Sequence, residues 1–263
     1  MDGTPVGAPR SECLEWSENG PVGRLTLSRP EKLNALSARL LTELIAVCDW
    51  LHTRDDLRVV IVAGRGRAFS AGFDLSDFSR PPSGNPRDGA DLGRKATEAL
   101  TDVPQLTLAA VHGRCIGGGV VLVSACDLRV ASSDAVFSIP EVDLGIPLAW
   151  GGIPRLVREL GPAVTKELVL SCRPFDAEEA RALRWVNTVV DPDGLDAHVT
   201  ALAESLAAKP LYALRSTKAH VNAVVEEIAG TGRSVLDADS LVYAMRDPES
   251  RAASERYLGA RKK

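Results

Sequence analysis

The 263-residue sequence lacks the features that mark several large classes of protein. Its 31 lysine and arginine residues are outnumbered by 35 acidic residues, so no basic excess points to a nucleic-acid partner. No apolar run reaches the ~18–20 residues that a membrane-spanning helix needs. The first residues are polar and contain no signal-peptide core. The sequence therefore predicts a protein that binds neither nucleic acid nor a membrane.

The patterns that hold metals, nucleotides or a nucleophile are also missing. The five cysteines include no Cys-x-x-Cys pair, and the four histidines match no ligand spacing, so we expect no metal. We therefore expect these cysteines to be reduced thiols, which are typical of a cytoplasmic protein. The phosphate-binding loop, the dinucleotide fingerprint and the Gly-x-Ser-x-Gly elbow are absent. Ser70 and Ser124 have no histidine nearby in sequence, which gives no support to a catalytic triad.

Short apolar runs alternate with helical segments over the first two-thirds of the chain, which predicts an α/β fold with parallel strand pairing. Ser37 is a candidate N-cap for the first helix. A loop over residues 79–91, rich in Pro, Gly, Ser and Asp, is expected to be mobile, with a helix near 90–102. We assign residues 1–20 to a flexible extension, 21–200 to the α/β core and 201–263 to a helical assembly region.

Three consecutive glycines open the apolar helix in GRCIGGGVVLVSACD, residues 113–127. Each costs a helix roughly 0.5–1 kcal/mol relative to alanine. Glycine lets the N–H groups at a helix N-terminus touch an anion directly, and it also allows close packing of the helix on a strand. Both explanations stay open at this point. A second glycine turn, FSAGFDL at residues 69–75, also follows an apolar strand and can be an ordinary loop.

Six motifs in this order resemble the crotonase superfamily, the enoyl-CoA hydratases and isomerases. They cover roughly Val22 to the C-terminus. The resemblance implies a crotonase-like spiral of ββα units with a C-terminal helical arm, assembled as a homotrimer or homohexamer. The motifs are RPEKLNALS (29–37), AFSAGFDL (68–75), AAVHGRCIGGGVVLVSACDLRVAS (109–132), FSIPEVDLGI (137–146), GGIPRLVRELG (151–161) and RPFDAEEARALRWVNTVV (173–190).

The resemblance also implies a chemistry. The substrate is an acyl-CoA thioester, and the N–H groups of Phe73 and Gly118 form an oxyanion hole for its carbonyl oxygen as an enolate develops. Coenzyme A arrives as part of the substrate, so no separate cofactor is expected. Hydratases of the family carry two glutamates, at the positions of Val121 and Glu141. The dienoyl-CoA isomerases carry aspartates at the positions of Val121 and Ala149.

Glu141 is therefore the one acid–base group of that pattern that remains in this sequence. A single carboxylate suffices for a 1,3-proton shift, which predicts a 3,2-enoyl-CoA isomerase. Val121 and Trp150 are expected to form an apolar acyl pocket that raises the pKa of Glu141. A weak or atypical hydratase and a non-catalytic acyl-CoA-binding protein remain as alternatives. Without the resemblance, a glutamate at a strand end is simply a solvated carboxylate.

The resemblance places further residues near coenzyme A. Asp74 can instead cap a helix, and Lys32, Tyr257 and Arg261 can simply be solvated. Asp127 and Arg155 are interpreted as structural residues. The expected coenzyme A contacts are Lys32, Ala35, Ala71, Asp74, Leu75, Tyr257 and Arg261.

Overall fold

The computed structural model describes residues 7–75 and 85–260. Ten strands and nine α-helices occur within these ranges. The strands are β1 (Leu14–Asn19), β2 (Val22–Leu27), β3 (Val59–Gly64), β4 (Ala68–Ser70), β5 (Leu106–Val111), β6 (Arg114–Ile116), β7 (Leu128–Ser132), β8 (Val136–Ser138), β9 (Phe175–Asp176) and β10 (Thr188–Val190). The helices are α1 (Ala38–Leu51), α2 (Pro86–Asp102), α3 (Gly118–Ser124), α4 (Gly152–Ser171), α5 (Ala177–Ala182), α6 (Leu195–Ala207), α7 (Leu211–Ala229), α8 (Asp237–Ala244) and α9 (Pro248–Ala260).

The strands form two sheets, and successive strands from β3 to β8 belong alternately to one sheet and the other. The larger sheet has the order β1-β2-β3-β5-β7-β10, and only its β1–β2 pair is antiparallel. The smaller sheet has the order β4-β6-β8-β9, with β8–β9 antiparallel. The consecutive pairs β3–β4, β5–β6 and β7–β8 each place one strand in each sheet, and a helix follows each pair. This repetition is the predicted spiral of ββα units, and the α/β fold class is confirmed.

Both faces of the larger sheet are covered, which explains its continuous apolar strands. The first five residues of β3 are all buried, and alternate side chains enter different clusters. Val60 and Val62 belong to the main core with α1 and α3, whereas Val59 and Ile61 pack with Val199 of α6 on the other face. The Ser37 hydroxyl accepts a hydrogen bond from the Leu40 N–H, which confirms the predicted N-cap of α1.

Several elements begin or end at residues other than the predicted bounds. Residues 14–19 lie within the predicted flexible extension, but they form β1 because they pair along the whole length of β2. Residues 86–91 belong to α2, which begins early because the Asn85 side chain accepts from the Arg87 N–H. The rest of the predicted mobile loop up to residue 84 lies outside the described residues. The boundary at residue 200 falls inside α6.

The C-terminal helices α8 and α9 pack against α2 and against the turn after β8. Helix α8 contacts α2, and Arg87 forms an ion pair of 3.0 Å with Asp239. Helix α9 lies on the turn after β8, where the Ser254 hydroxyl donates to the Leu144 carbonyl. In the part of the chain that is described, no helix is long and apolar enough to cross a membrane.

Asp127 joins helix α7 to the larger sheet, which agrees with its interpretation as a structural residue. Its Oδ2 accepts from the Thr107 N–H at 2.7 Å, from the Thr107 hydroxyl at 2.9 Å, and from the Lys218 ammonium at 2.8 Å. Lys218 also donates to the Gln105 carbonyl. The Lys218 and Asp127 side chains are only 7% and 16% exposed, so neither charge is well solvated if the other is removed.

We expect Asp127→Ala to lower the free energy of unfolding by about 3–5 kcal/mol. The substitution leaves the buried Lys218 ammonium and the buried Thr107 N–H without their carboxylate partner. Asp55→Ala is the matched control, since it breaks an ion pair between α7 and a carboxylate that is 88% exposed. That loss should stay below about 1 kcal/mol. Chemical denaturation measures both values. Equal losses in the two variants would contradict the structural role of Asp127.

Candidate active site

Glu141 lies in the turn after β8, three residues beyond Ser138, and not at a strand end as the sequence suggested. The turn is held by hydrogen bonds from the Leu144 N–H to the Pro140 carbonyl and from the Ile146 N–H to the Glu141 carbonyl. The residue as a whole is partly accessible, but its carboxyl group is removed from solvent. Its Oε2 atom is buried and has no hydrogen-bond partner among the described residues. Glu141 is therefore not a solvated carboxylate in the structure.

Burial raises the pKa of Glu141 from its usual 4.5 to about 7 and outweighs a backbone hydrogen bond that lowers it. Loss of hydration is the cause, because charge in an apolar environment is unfavourable. A carboxyl group with this pKa exchanges a proton readily near neutral pH.

Gly117 is the residue against which the Glu141 carboxyl group packs. A Cβ atom on Gly117 would lie 2.4 Å from Glu141 Oε1, a distance that no real contact allows. Gly117 also has φ +51°, a backbone conformation that side chains disfavour. Its N–H donates to the Ser138 carbonyl at 2.8 Å, which ties the start of α3 to the end of β8.

Gly118 and Gly119 each leave room for a different side chain. A Cβ atom on Gly118 would lie 2.5 Å from the Trp150 ring, and one on Gly119 would lie 3.0 Å from the Ser70 Cβ. All three glycines therefore permit close packing, one of the two explanations left open by the sequence. Gly118 is also the first residue of α3, where an amide has no acceptor within its own helix.

Phe73 lies in a turn that is fixed on both sides. Its parallel bridge to Leu36 uses the Leu36 N–H to the Gly72 carbonyl at 2.8 Å and the Asp74 N–H to the Leu36 carbonyl at 3.2 Å. In such a bridge the middle residue directs its own N–H away from the partner segment. Gly72, with φ +83°, approaches the other segment, since its Cβ would lie 2.6 Å from the Ile116 carbonyl oxygen and 3.5 Å from the Gly118 nitrogen. The structure thus brings the Phe73 turn against Gly118.

Apolar side chains enclose this region. Val121 is 1% exposed and Trp150 is 7% exposed, and the Phe73 and Trp150 rings meet edge to face at 5.9 Å. Ala149 is buried as well. Small or branched apolar side chains therefore occupy the two positions at which the resemblance implies a second acid–base group in other branches of the family. Of the predicted pocket residues, Trp150 lies against Gly118, and the Val121 N–H donates to the Gly117 carbonyl at 3.2 Å.

Most of the predicted coenzyme A contacts lie on two adjoining segments. The Ala71 N–H donates to the Leu33 carbonyl at 2.8 Å, which places residues 71–75 beside residues 32–36. Lys32 is exposed, whereas Asp74 is buried and forms an ion pair of 2.9 Å with Arg29. Ala35 accepts a hydrogen bond from the Arg29 guanidinium group, and Leu75 ends the first described range.

The two C-terminal candidates are placed differently. Tyr257 is half-buried on α9, the helix that lies against the turn after Glu141 in the same chain. Arg261 lies outside the described residues. Arg155 is fully buried, donates to the Thr101 hydroxyl at 2.9 Å, and has its pKa lowered by burial to about 10, so its contacts are those of a structural residue.

Sequence reasoning missed three residues that shape the site. Gly93 of α2 lies under Trp150, and a Cβ there would lie 1.9 Å from the indole ring. Asn34 and Ser70 are both fully buried polar residues beside the Phe73 turn. A glycine inside a helix was a visible signal for Gly93, and an asparagine between apolar residues was a weaker one for Asn34.

Comparison with known proteins shows which family the chain resembles. A family model described as enoyl-CoA hydratase/isomerase matches residues 17–263. The peroxisomal Δ(3,5)-Δ(2,4)-dienoyl-CoA isomerase of Arabidopsis thaliana is 38% identical over 79% of this chain and 80% of its own length. A protein of Mycobacterium avium named probable enoyl-CoA hydratase echA17 is 36% identical over 81% of this chain and 82% of its own length.

Solved structures lead to the same family. The crystal structure of an enoyl-CoA hydratase/isomerase from Xanthobacter autotrophicus Py2 is 31% identical, has a TM-score of 0.82, and covers 93% of this chain and 91% of its own. The chain belongs to the enoyl-CoA hydratase/isomerase family of the crotonase superfamily.

Proposed function

We propose that the protein is a 3,2-enoyl-CoA isomerase that uses Glu141 as its single acid–base group. The observation that carries this proposal is the buried Glu141 carboxyl group, whose pKa is raised to about 7, in a site where Val121 and Ala149 supply no second carboxyl group. A reaction that returns a proton to the same molecule needs one carboxylate, whereas adding water is assisted by two.

In the proposed reaction, the Glu141 carboxylate removes a proton from C2 of a 3-enoyl-CoA. The electron pair of that bond forms a C1–C2 double bond, and the negative charge moves to the thioester oxygen. The N–H groups of Phe73 and Gly118 donate to this oxygen. The protonated Glu141 then returns the proton at C4, and the double bond ends between C2 and C3. No proton is gained or lost overall.

The backbone donors account for a large share of the expected rate. Removing one such donor from other enzymes costs about 2.7–4 kcal/mol of transition-state stabilisation. Backbone N–H groups remain when side chains change, so Phe73 can have a large ring at this position. That ring and Trp150 also keep water from the enolate, which makes both hydrogen bonds stronger.

The names of the relatives support an enoyl-CoA substrate but divide on the reaction. The Arabidopsis relative is named as an isomerase and the mycobacterial one as a hydratase. Hydratase activity is the second candidate because of the mycobacterial name. Val121 opposes it, since a buried valine neither activates water nor protonates carbon. Acyl-CoA binding without turnover would leave the raised pKa of Glu141 without a use.

A paired assay tests the proposal. One arm follows the gain of conjugation as 3-enoyl-CoAs of several lengths form 2-enoyl-CoAs, and the other follows its loss as 2-enoyl-CoAs take up water. The isomerase predicts gain without loss. Efficient loss of conjugation would establish the hydratase instead. Tight binding of acyl-CoA in calorimetry with neither reaction would identify a binding protein.

Glu141→Gln should lower kcat for isomerisation by about 10²–10⁴-fold, because the amide cannot accept the C2 proton. KM should change little, since the amide has nearly the same shape. Asp143→Asn is the matched control, because Asp143 is exposed in the same turn. Steady-state kinetics on a 3-enoyl-CoA measures both variants. A Glu141→Gln enzyme as fast as the wild type would contradict the assignment.

The pH dependence of kcat/KM should report the same group. Glu141 must be ionised to act as a base, and burial raises its pKa to about 7. The value of kcat/KM should therefore rise as pH increases through about 7 and level off above about 8. An inflection near the ordinary carboxyl pKa of 4.5 would mean that Glu141 is solvated in the active protein.

Stability should depend on pH in the opposite sense. Because the pKa of Glu141 is higher in the folded than in the unfolded chain, the folded state binds more protons between pH 4.5 and about 7. The difference corresponds to about 3 kcal/mol. Relative to wild type, Glu141→Gln should thus gain stability as pH rises across this window, up to about 3 kcal/mol above pH 7. Denaturation at several pH values measures this, and a constant difference would contradict it.

A further inference from the structure

Ser70 is a fully buried hydroxyl group at the end of β4, directly before the Phe73 turn. It donates to the Asn34 carbonyl at 2.8 Å and accepts from the Gly72 N–H at 3.1 Å. The hydroxyl thus holds Gly72, the residue whose carbonyl also accepts from Leu36. With φ +83°, Gly72 would be free to change conformation if these contacts were lost.

The same serine contacts the second backbone segment. A Cβ atom at Gly119 would lie 3.0 Å from Ser70 Cβ and 3.3 Å from Ser70 Oγ. The absence of a side chain at Gly119 lets Ser70 lie directly on the first turn of α3. Strand pairing supports this contact, because Ser70 is paired with Cys115, three residues before Gly118. One side chain therefore touches both segments that carry the proposed donors.

The acceptor of the Ser70 hydroxyl is itself rigidly held. The Asn34 side-chain amide donates to the carbonyls of Arg65 and Ala68, each at 2.8 Å, and its oxygen accepts from the Arg29 N–H at 2.9 Å. Asn34 is fully buried and adopts φ +53°. Ser70 is thus bonded to a fixed part of the core and not to a mobile loop.

We propose that Ser70 is a positioning residue that sets the distance between the Phe73 and Gly118 N–H groups. This inference rests on the proposed function, since it gives those two amides their role. The hydroxyl fixes the Ala71–Phe73 turn through Gly72, and its contact with Gly119 fixes that turn relative to α3. A displacement of about 1 Å at a reacting centre can cost about 10²-fold in rate. Ser70 itself does not touch the substrate.

Acetoacetyl-CoA is a probe that reports on the two amides without turnover. Its C2 proton is acidic, and its enolate has its own ultraviolet absorbance. Two well-placed donors stabilise the bound enolate and lower the pH at which it forms. In Ser70→Ala we expect this pH to rise by one unit or more, so that about tenfold less enolate is bound at a given pH. The kcat for isomerisation should fall about tenfold or more, with KM within about twofold.

Ser124→Ala is the matched control. Ser124 is also a buried serine that donates one hydrogen bond, to the Val120 carbonyl at 2.9 Å, and accepts one, from Trp185 Nε1 at 3.1 Å. Both variants should lower the melting temperature, but only Ser70→Ala should change the enolate. If Ser70→Ala loses stability like Ser124→Ala and binds as much enolate as the wild type, the positioning role is overturned.

Ser70→Cys provides a second variant if the alanine protein does not fold. A thiol donates and accepts weaker hydrogen bonds, so bound enolate should decrease in the order Ser, Cys, Ala. Equal enolate in the serine and cysteine proteins would overturn the proposal. A wild-type protein that binds the enolate but does not isomerise 3-enoyl-CoA would refute the isomerase and leave the positioning role supported.

Discussion

The close approach of three side chains to the backbone of residues 117–119 is the constraint on which the rest of the site depends. The Glu141 carboxyl group, the Trp150 ring and Ser70 each occupy space that a Cβ atom on one of these glycines would fill. Each glycine therefore leaves room for a different side chain. An alanine at any one of the three positions would displace that side chain. The free energy that glycine costs at the start of α3 is offset by the packing of these three side chains.

The same packing explains the chemistry of Glu141. The carboxyl group lies against the backbone of Gly117 and is removed from solvent, so loss of hydration dominates its pKa. A second carboxylate at the position of Val121 would add a buried like charge, which would raise the free energy of the ionised form further. A site with one carboxylate is thus suited to a reaction in which the same group removes a proton from the substrate and returns it.

Much of the core was predictable because its signals are local. The continuous apolar run of β3 and the Ser37 cap of α1 are readable from neighbouring residues. Strands β4, β6 and β9, of two or three residues, are too short for any periodicity to appear. Strand β1 was hidden in a polar N-terminal segment because its edge position leaves most side chains exposed.

The site was predictable only in part, for a related reason. Glu141, Phe73 and Gly118 came from the resemblance, whereas their environment depends on contacts between distant residues. Ser70 bonds to Asn34 across 36 positions, and Gly93 makes room for Trp150 across an even longer stretch of chain. Trp150 also adopts φ +63°, which no sequence rule for a tryptophan anticipates.

The most direct test of the account is the fate of the proton at C2. A 3-enoyl-CoA carrying deuterium at both C2 positions would be converted in ordinary water, and the 2-enoyl-CoA product analysed by mass spectrometry and NMR after a single turnover. One buried carboxylate that carries the proton from C2 to C4 predicts deuterium at C4 in a substantial fraction of the product. Hydrogen at C4 derived only from solvent, or incorporation of oxygen from labelled water, would contradict the account.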